Sequence, residues 1–151
     1  MLDGVTIVPA ETQHVDAIVE LLTAQLVEHE IFTPADALRE VTRAVVGEPR
    51  HGFMLLAVMD DHPAAVAFAA AHISAEHGGV IGWLEELYVA PEHRGNGIGA
   101  ALLADIISRA QRLGWRGVEL EVVAGHERAA ALYLRHGFMP LSRARYSRIF
   151  S

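Results

Sequence analysis

The stretch 84-LEELYVAPEHRGNGIGAALL-103 decides the fold. Its middle carries glycines at 95, 97 and 99, and small and apolar residues follow at once. Glycine has no Cβ, so its backbone comes close to a ligand without obstruction. The N–H groups of such a loop, and of the helix it opens, offer donors and partial positive charge to a phosphate. The question is whose phosphate. A nucleoside-triphosphate loop is excluded, because no Gly-Lys-Ser/Thr follows the glycines. A dinucleotide fingerprint fits the spacing better. Gly95, Gly97 and Ala100 satisfy G-x-G-x-x-G/A, and Glu119 or Glu121 stands about 20 residues on, where a ribose-binding acid belongs. Its context fails. In that fold the first glycine follows its strand almost directly, whereas Ala90 to Arg94 intervene here. About 50 residues remain after the loop, too few for the rest of a doubly wound sheet.

Outward from the loop, apolar periodicity sets the element order. A strand, 5-VTIVPA-10, leads to Thr12 as an N-cap, and Val15, Ile18, Val19, Leu22 and Leu26 recur at helical spacing to about Glu28. Thr33-Pro34 reads as N-cap and first helical position, with Asp36 in the first turn and Gly47 as the stop. Three strands follow at 53–60, 65–74 and 80–89, with turn signals at Asp61-His62-Pro63 and His77-Gly78-Gly79. Such short connections predict antiparallel pairing. The loop then opens a helix from about Gly97 to Leu113, with Ile98, Ala101, Leu102, Ile106 and Leu113 in its apolar stripe. A strand at 118–124, a helix at 127–136 stopped by Gly137, and a strand pair within 138–150 complete the chain. The expected fold is α/β: a mixed, mostly antiparallel sheet flanked by about four helices, with one parallel crossover through the glycine-loop helix.

The chain's 151 residues fit one domain, 1–151, and its 52% apolar content is too rich for disorder. It contains no cysteine, which removes disulfides, thiolate metal sites and a thiol nucleophile. The start, MLDGVTIVPAE, has an acid and no basic run, unlike a signal peptide. No apolar run approaches the roughly 18–20 residues that span a bilayer, so the expectation is a cytoplasmic protein with no membrane partner. A formal net charge of −7 argues against nucleic acid and mildly favours a cationic small molecule. The nine histidines are scattered; even His72 and His77 lack a common metal-site spacing, and no metal is expected.

With Arg94 included, Arg94-Gly95-Asn96-Gly97-Ile98-Gly99 fits R/Q-x-x-G-x-G/A and resembles the acyl-CoA pyrophosphate loop of the GNAT acetyltransferase superfamily. The likeness extends through the preceding strand and Pro-containing turn. It resumes in 127-ERAAALYLRHGF-138, similar to the family's A-x-x-x-Y-x-x-x-G-F segment. The strand's L-E-E order looks most like the diamine and thialysine acetyltransferases. The resemblance implies acetyl-CoA as donor and a primary amine of a small molecule as acceptor. It also implies direct attack in a ternary complex, and a homodimer. A catalytically idle acyl-CoA-binding module on the same fold is the alternative reading.

Amide formation from a thioester needs an amine stripped of its proton, a stabilised carbonyl oxygen and a proton for the thiolate. A carboxylate serves the first need, directly or through water. Glu85 and Glu86 lie on the strand before the loop, on opposite faces by strict alternation. The resemblance makes Glu85 the base relay and Glu86 its alternate on the substrate side. It implies that the backbone of Leu87, Tyr88 and Val89 pairs with pantetheine, one N–H polarising the carbonyl. Arg94 to Ala100 then form the cofactor loop, Tyr133 protonates the thiolate, and Ala129 lies against the cofactor. His126 stands where many members have Asn, a cofactor contact that histidine can still make. Glu119 and Glu121 share one face of their strand and would extend an acidic acceptor pocket with Glu85. The acceptor loop, Leu26 to Thr33, holds His29, Glu30 and Phe32, and His29 is a further substrate-side candidate.

Overall fold

In the computed structural model, which describes residues 2–151, five strands lie side by side in chain order. β1 (Val5–Pro9), β2 (Gly52–Met59), β3 (His62–Ser74) and β4 (Gly79–Val89) pair antiparallel. β5 (Gly117–Glu119) joins β4 in parallel, after a crossover through α3 (Ile98–Arg112). α1 (Val15–Glu28) and α2 (Ala35–Gly47) lie between β1 and β2, and α4 (Glu127–Arg135) follows β5. The expected mixed sheet, four α-helices and single crossover are all present among the described residues. Two compact units divide the chain: Met1–Glu121 holds the whole sheet with α1 to α3, and Val122–Ser151 holds α4.

Strand alternation sorts the core of the first unit. Met54, Leu56, Val66 and Tyr88 turn to one face and join Val15, Ile18, Val19, Leu21, Leu22, Leu38 and Val45 of α1 and α2. Leu55, Ala57, Ala65, Ala67 and Ala69 turn to the other, and α3 lies there with Ile98, Leu102, Leu103 and Ile106 fully buried. The small β3 residues let α3 approach closely. Its buried stripe therefore runs through Leu103 and Ala110, while Ala101 is half-buried and Leu113 is exposed.

Several boundaries differ from the sequence expectation, each for a local reason. The first helix is entered through a 3₁₀ turn, Thr12–His14, so Thr12 is inside the turn; the His14 ring accepts the Glu11 N–H at 2.9 Å. Pro34 keeps an extended ψ of 143° and is itself the N-cap of α2, its carbonyl accepting the first bond from Leu38. The β2–β3 turn is Asp60-Asp61, because Met59 pairs with His62 and both aspartates take positive φ. Pro63 falls inside β3 beside a register shift, where its lacking N–H is tolerated. Gly79 likewise belongs to β4. β5 is Gly117–Glu119 and so covers only 118–119 of the expected 118–124, and 138–150 contains no strand. Beyond Trp83, β4 no longer runs in register with β5, and the apolar residues at 141, 144, 146, 149 and 150 do not alternate.

Two left-handed non-glycine residues in a two-residue hairpin are strained, and the matching turn prefers glycine at its second position. Asp61→Gly is expected to raise the unfolding midpoint by about 2–4 °C in calorimetry. A lower midpoint would mean that Asp61 makes a compensating interaction.

Candidate active site

The site begins with an irregularity in β4. Phe68 stands opposite Glu86 and Ala69 opposite Leu84, so Glu85 is an extra residue with no partner across the ladder. A bulge of this kind breaks alternation and re-aims side chains. The charge of Glu85 lies close enough to oppose ionisation of Glu86. Glu85 is exposed and Glu86 half-buried. Burial, then the neighbouring Glu85, pushes the Glu86 carboxyl up to about 7, while a hydrogen bond with Gln25 of α1 pulls partly the other way. Gln25 Oε1 is buried with no donor among the described residues. A protonated Glu86 or an incoming ammonium would supply one.

Just before the bulge the β4–β5 ladder ends; it covers only Ile81 to Trp83. From Leu84 to Val89, the bulged Glu85 apart, β4 keeps a ladder partner on the β3 side alone. Leu87, Tyr88 and Val89 therefore hold backbone groups along an edge suited to an added extended ligand.

The glycine loop follows a 3₁₀ turn, Pro91–His93, whose last carbonyl accepts from the Asn96 amide at 3.3 Å. Gly95 and Gly97 are left-handed, with φ of 84° and 80°, and Gly97 is the N-cap of α3. The helix's own bonding starts with Ala101 N–H to the Gly97 carbonyl, so the N–H groups of Ile98, Gly99 and Ala100 have no partner within the helix. A Cβ at Gly95 would meet nothing within 4 Å, and one at Gly99 would touch only Val89 Cγ2 at 3.7 Å. Backbone conformation, not crowding, thus calls for glycine at 95 and 97. An open loop with clustered N–H donors at a helix start fits a diphosphate.

The Arg94 side chain is engaged by the protein. Its Nε donates to the Val89 carbonyl at 2.8 Å, and its Nη2 lies 3.0 Å from both carboxylate oxygens of Glu28. The guanidinium stands 5.5 Å from the centre of the Tyr88 ring. Tyr88 also hydrogen-bonds Glu28, and with Arg94 it holds the Glu28 carboxyl below its usual range. Burial and that bond push the Tyr88 phenol up to about 12. Sequence reasoning passed over Gln25 and Glu28. The available signal was their spacing: they continue the buried Ile18, Leu21, Leu22 face of α1 with polar residues.

His29 caps the end of α1 and is exposed, and the next residue, Glu30, is left-handed with φ of 59°. Glu119 ends β5 opposite Trp83, and Glu121 lies past the strand. In the second unit, Tyr133 sits in the last turn of α4. The Phe138 N–H donates to the Tyr133 carbonyl, Gly137 N–H to that of Leu134, and Gly137 is left-handed. This is a Schellman cap, with the Tyr133 and Phe138 rings meeting edge to face at 5.7 Å. His126 is the exposed N-cap of α4, and Ala129 is half-buried in its first turn.

Residues 15–138 match the model of the acetyltransferase (GNAT) family. An uncharacterised N-acetyltransferase of Schizosaccharomyces pombe is 34% identical over 90 residues, covering 60% of this chain and 53% of that protein. The chain thus spans about half the length of this curated relative. A protein from the mobile metagenome of Cole Harbour salt marsh superposes with a TM-score of 0.86 at 25% identity, over 96% of this chain and 90% of that one. A predicted acetyltransferase of Clostridium acetobutylicum, solved with acetyl-CoA, gives 0.80 at 16% identity, over 95% and 96% of the two chains. At that identity the likeness is one of fold.

An acid whose folded pKa is raised stabilises the protein below the ordinary carboxylate range and loses that contribution as pH rises through about 7. Glu86→Gln removes the loss. Urea unfolding should show the variant more stable above pH 7, by on the order of 1–2 kcal/mol after solvent screening. Near pH 4.5 the two proteins should agree within about 0.5 kcal/mol.

Proposed function

The chain belongs to the acetyltransferase (GNAT) family, and on that premise we propose an acetyl-CoA-dependent N-acetyltransferase whose acceptor is a primary amine of a small cationic molecule. The observation that carries this reading is a carboxyl poised at about 7 on the strand whose end opens into the phosphate loop. Bound acetyl-CoA supplies the activated acetyl thioester. The N–H groups between Gly95 and Ala100 hold its pyrophosphate, and the backbone of Leu87 to Val89 aligns the pantetheine arm. One of these N–H groups donates to the carbonyl oxygen as charge develops there.

An alkyl ammonium titrates near ~10.4, so its proton must be taken at the site. Resemblance points first to Glu85 as the base; the environments of the pair favour dividing the work. Exposed Glu85 holds the cation, and half-buried Glu86 takes the proton. Tyr133 protonates the departing thiolate, and Ala129 and His126 lie along the cofactor. His29, Glu119 and Glu121 add to the acceptor side. Every acidic residue except Glu127 falls in Met1–Glu121, which supports a cationic acceptor of the diamine type. The chain has neither cysteine nor lysine to carry an acetyl group, which supports direct attack in a ternary complex. The proposal extends to one acetyltransferase domain over 1–151, working as a cytoplasmic homodimer.

A thiol-release assay across diamines, amino acids and aminoglycosides tests the reading. Turnover should favour diamines, and kcat/KM should rise through an ionisation near pH 7 that Glu86→Gln abolishes. Binding of acetyl-CoA without turnover on any amine would favour the idle module instead. For the acid role, Tyr133→Phe should keep acetyl-CoA affinity and lower kcat by about 100-fold. Unchanged turnover would refute it.

A further inference from the structure

In the loop motif the arginine is the one cation, and the simplest role for it would be a charge on the phosphate. The geometry points to another: Arg94 acts on the cofactor through the loop, and Glu28 is the positioning residue that holds it. This inference rests on the reading of the loop as the acyl-CoA pyrophosphate site.

Three side chains from three elements meet at this point. Glu28 is the last residue of α1, Tyr88 lies near the end of β4, and Arg94 is the residue that enters the glycines. The Nε hydrogen of Arg94 is spent on the last carbonyl of β4, and its Nη2 sits astride the Glu28 carboxylate at 3.0 Å. The guanidinium carbon lies over the Tyr88 ring, 5.5 Å from its centre. Turning Arg94 towards a phosphate would leave the Val89 carbonyl without this donor and Glu28 with only the Tyr88 bond. The cluster's states agree with one another. The Glu28 carboxyl is held low and the Tyr88 phenol is pushed up to about 12, so carboxylate, phenol and guanidinium coexist through neutral pH.

The consequence for the loop follows from where Arg94 stands. Its backbone is extended, with φ −72° and ψ 155°, and it enters directly into the left-handed Gly95. Glycines impose no direction of their own, because they accept many conformations at similar cost. Anchoring the residue before them removes that freedom before the ligand arrives, and a preorganised loop binds more tightly. The anchor also lies at the end of α1, within the Leu26 to Thr33 segment read as the acceptor loop. Glu28 therefore ties the acceptor-side loop to the start of the glycine loop.

Calorimetric titration of CoA into the full chain tests this without any acceptor. Glu28→Gln retains an acceptor for the Tyr88 hydroxyl but loses the charge that holds Arg94. It should weaken CoA binding about tenfold, the scale of one charge-assisted hydrogen-bonded contact. Arg94→Gln should match it, and the double variant should be no weaker than either single one. Arg94→Lys keeps the charge but cannot reach carbonyl, carboxylate and ring together, so it should behave as Arg94→Gln. In turnover, Glu28→Gln should raise KM for acetyl-CoA and leave kcat at saturation unchanged. Wild-type affinity in Glu28→Gln or Arg94→Lys, or additive losses in the double variant, would overturn the role and make Arg94 a phosphate ligand. A wild-type chain that takes up no CoA would overturn the loop reading and this role together.

Discussion

The extra residue in β4 is the constraint on which the rest of the site depends. Opposite Phe68 the strand holds Glu86, and one step earlier Ala69 meets Leu84, which leaves Glu85 outside the ladder. One irregularity has three results. It leaves Glu85 exposed and Glu86 half-buried, and the charge of Glu85 adds to the burial that raises Glu86. It aims Glu86 at Gln25 on α1. It also coincides with the end of the parallel ladder at Trp83, so the last residues of β4 keep a free edge beside the glycine loop. A regular strand would have paired both acids across the ladder.

α1 forms the second wall, and its composition records a change of task along its length. Ile18, Leu21 and Leu22 are buried against the sheet. Gln25 and Glu28 follow at the same helical spacing, and both engage β4 or its continuation. A half-exposed ion pair alone contributes only ~0–1 kcal/mol, so Glu28–Arg94 matters less as a stabilising contact than as part of a network with Tyr88 and Val89. What the network supplies is position.

In the second unit, helix capping accounts for the Tyr-x-x-x-Gly-Phe pattern. Gly137 takes the left-handed conformation that ends α4, Phe138 returns its N–H to the Tyr133 carbonyl, and the two rings pack edge to face. The register of Tyr133 relative to the glycine is therefore set by backbone geometry.

Much of the architecture was legible in the chain because it rests on local rules. Apolar period separates the helices from the strands, short turns impose antiparallel order, and Gly95 and Gly97 mark the positive φ of the loop. The Tyr133 segment was legible for the same reason. Pairing across distance was not. The Glu85 bulge depends on how β3 and β4 register over many residues, and neither strand carries a local mark of it. The length of β5 depends on where β4 stops offering a partner, and strand propensity at 118–124 says nothing of that. Arg94 meets Glu28 across 66 residues, a contact that exists only once α1 packs on the sheet. Residue types and their spacing determined the elements, their order and the glycine loop. Tertiary structure alone decided which acid is buried, which is exposed and what the arginine holds, because burial and ion pairing belong to the assembled surfaces and not to any segment of the chain.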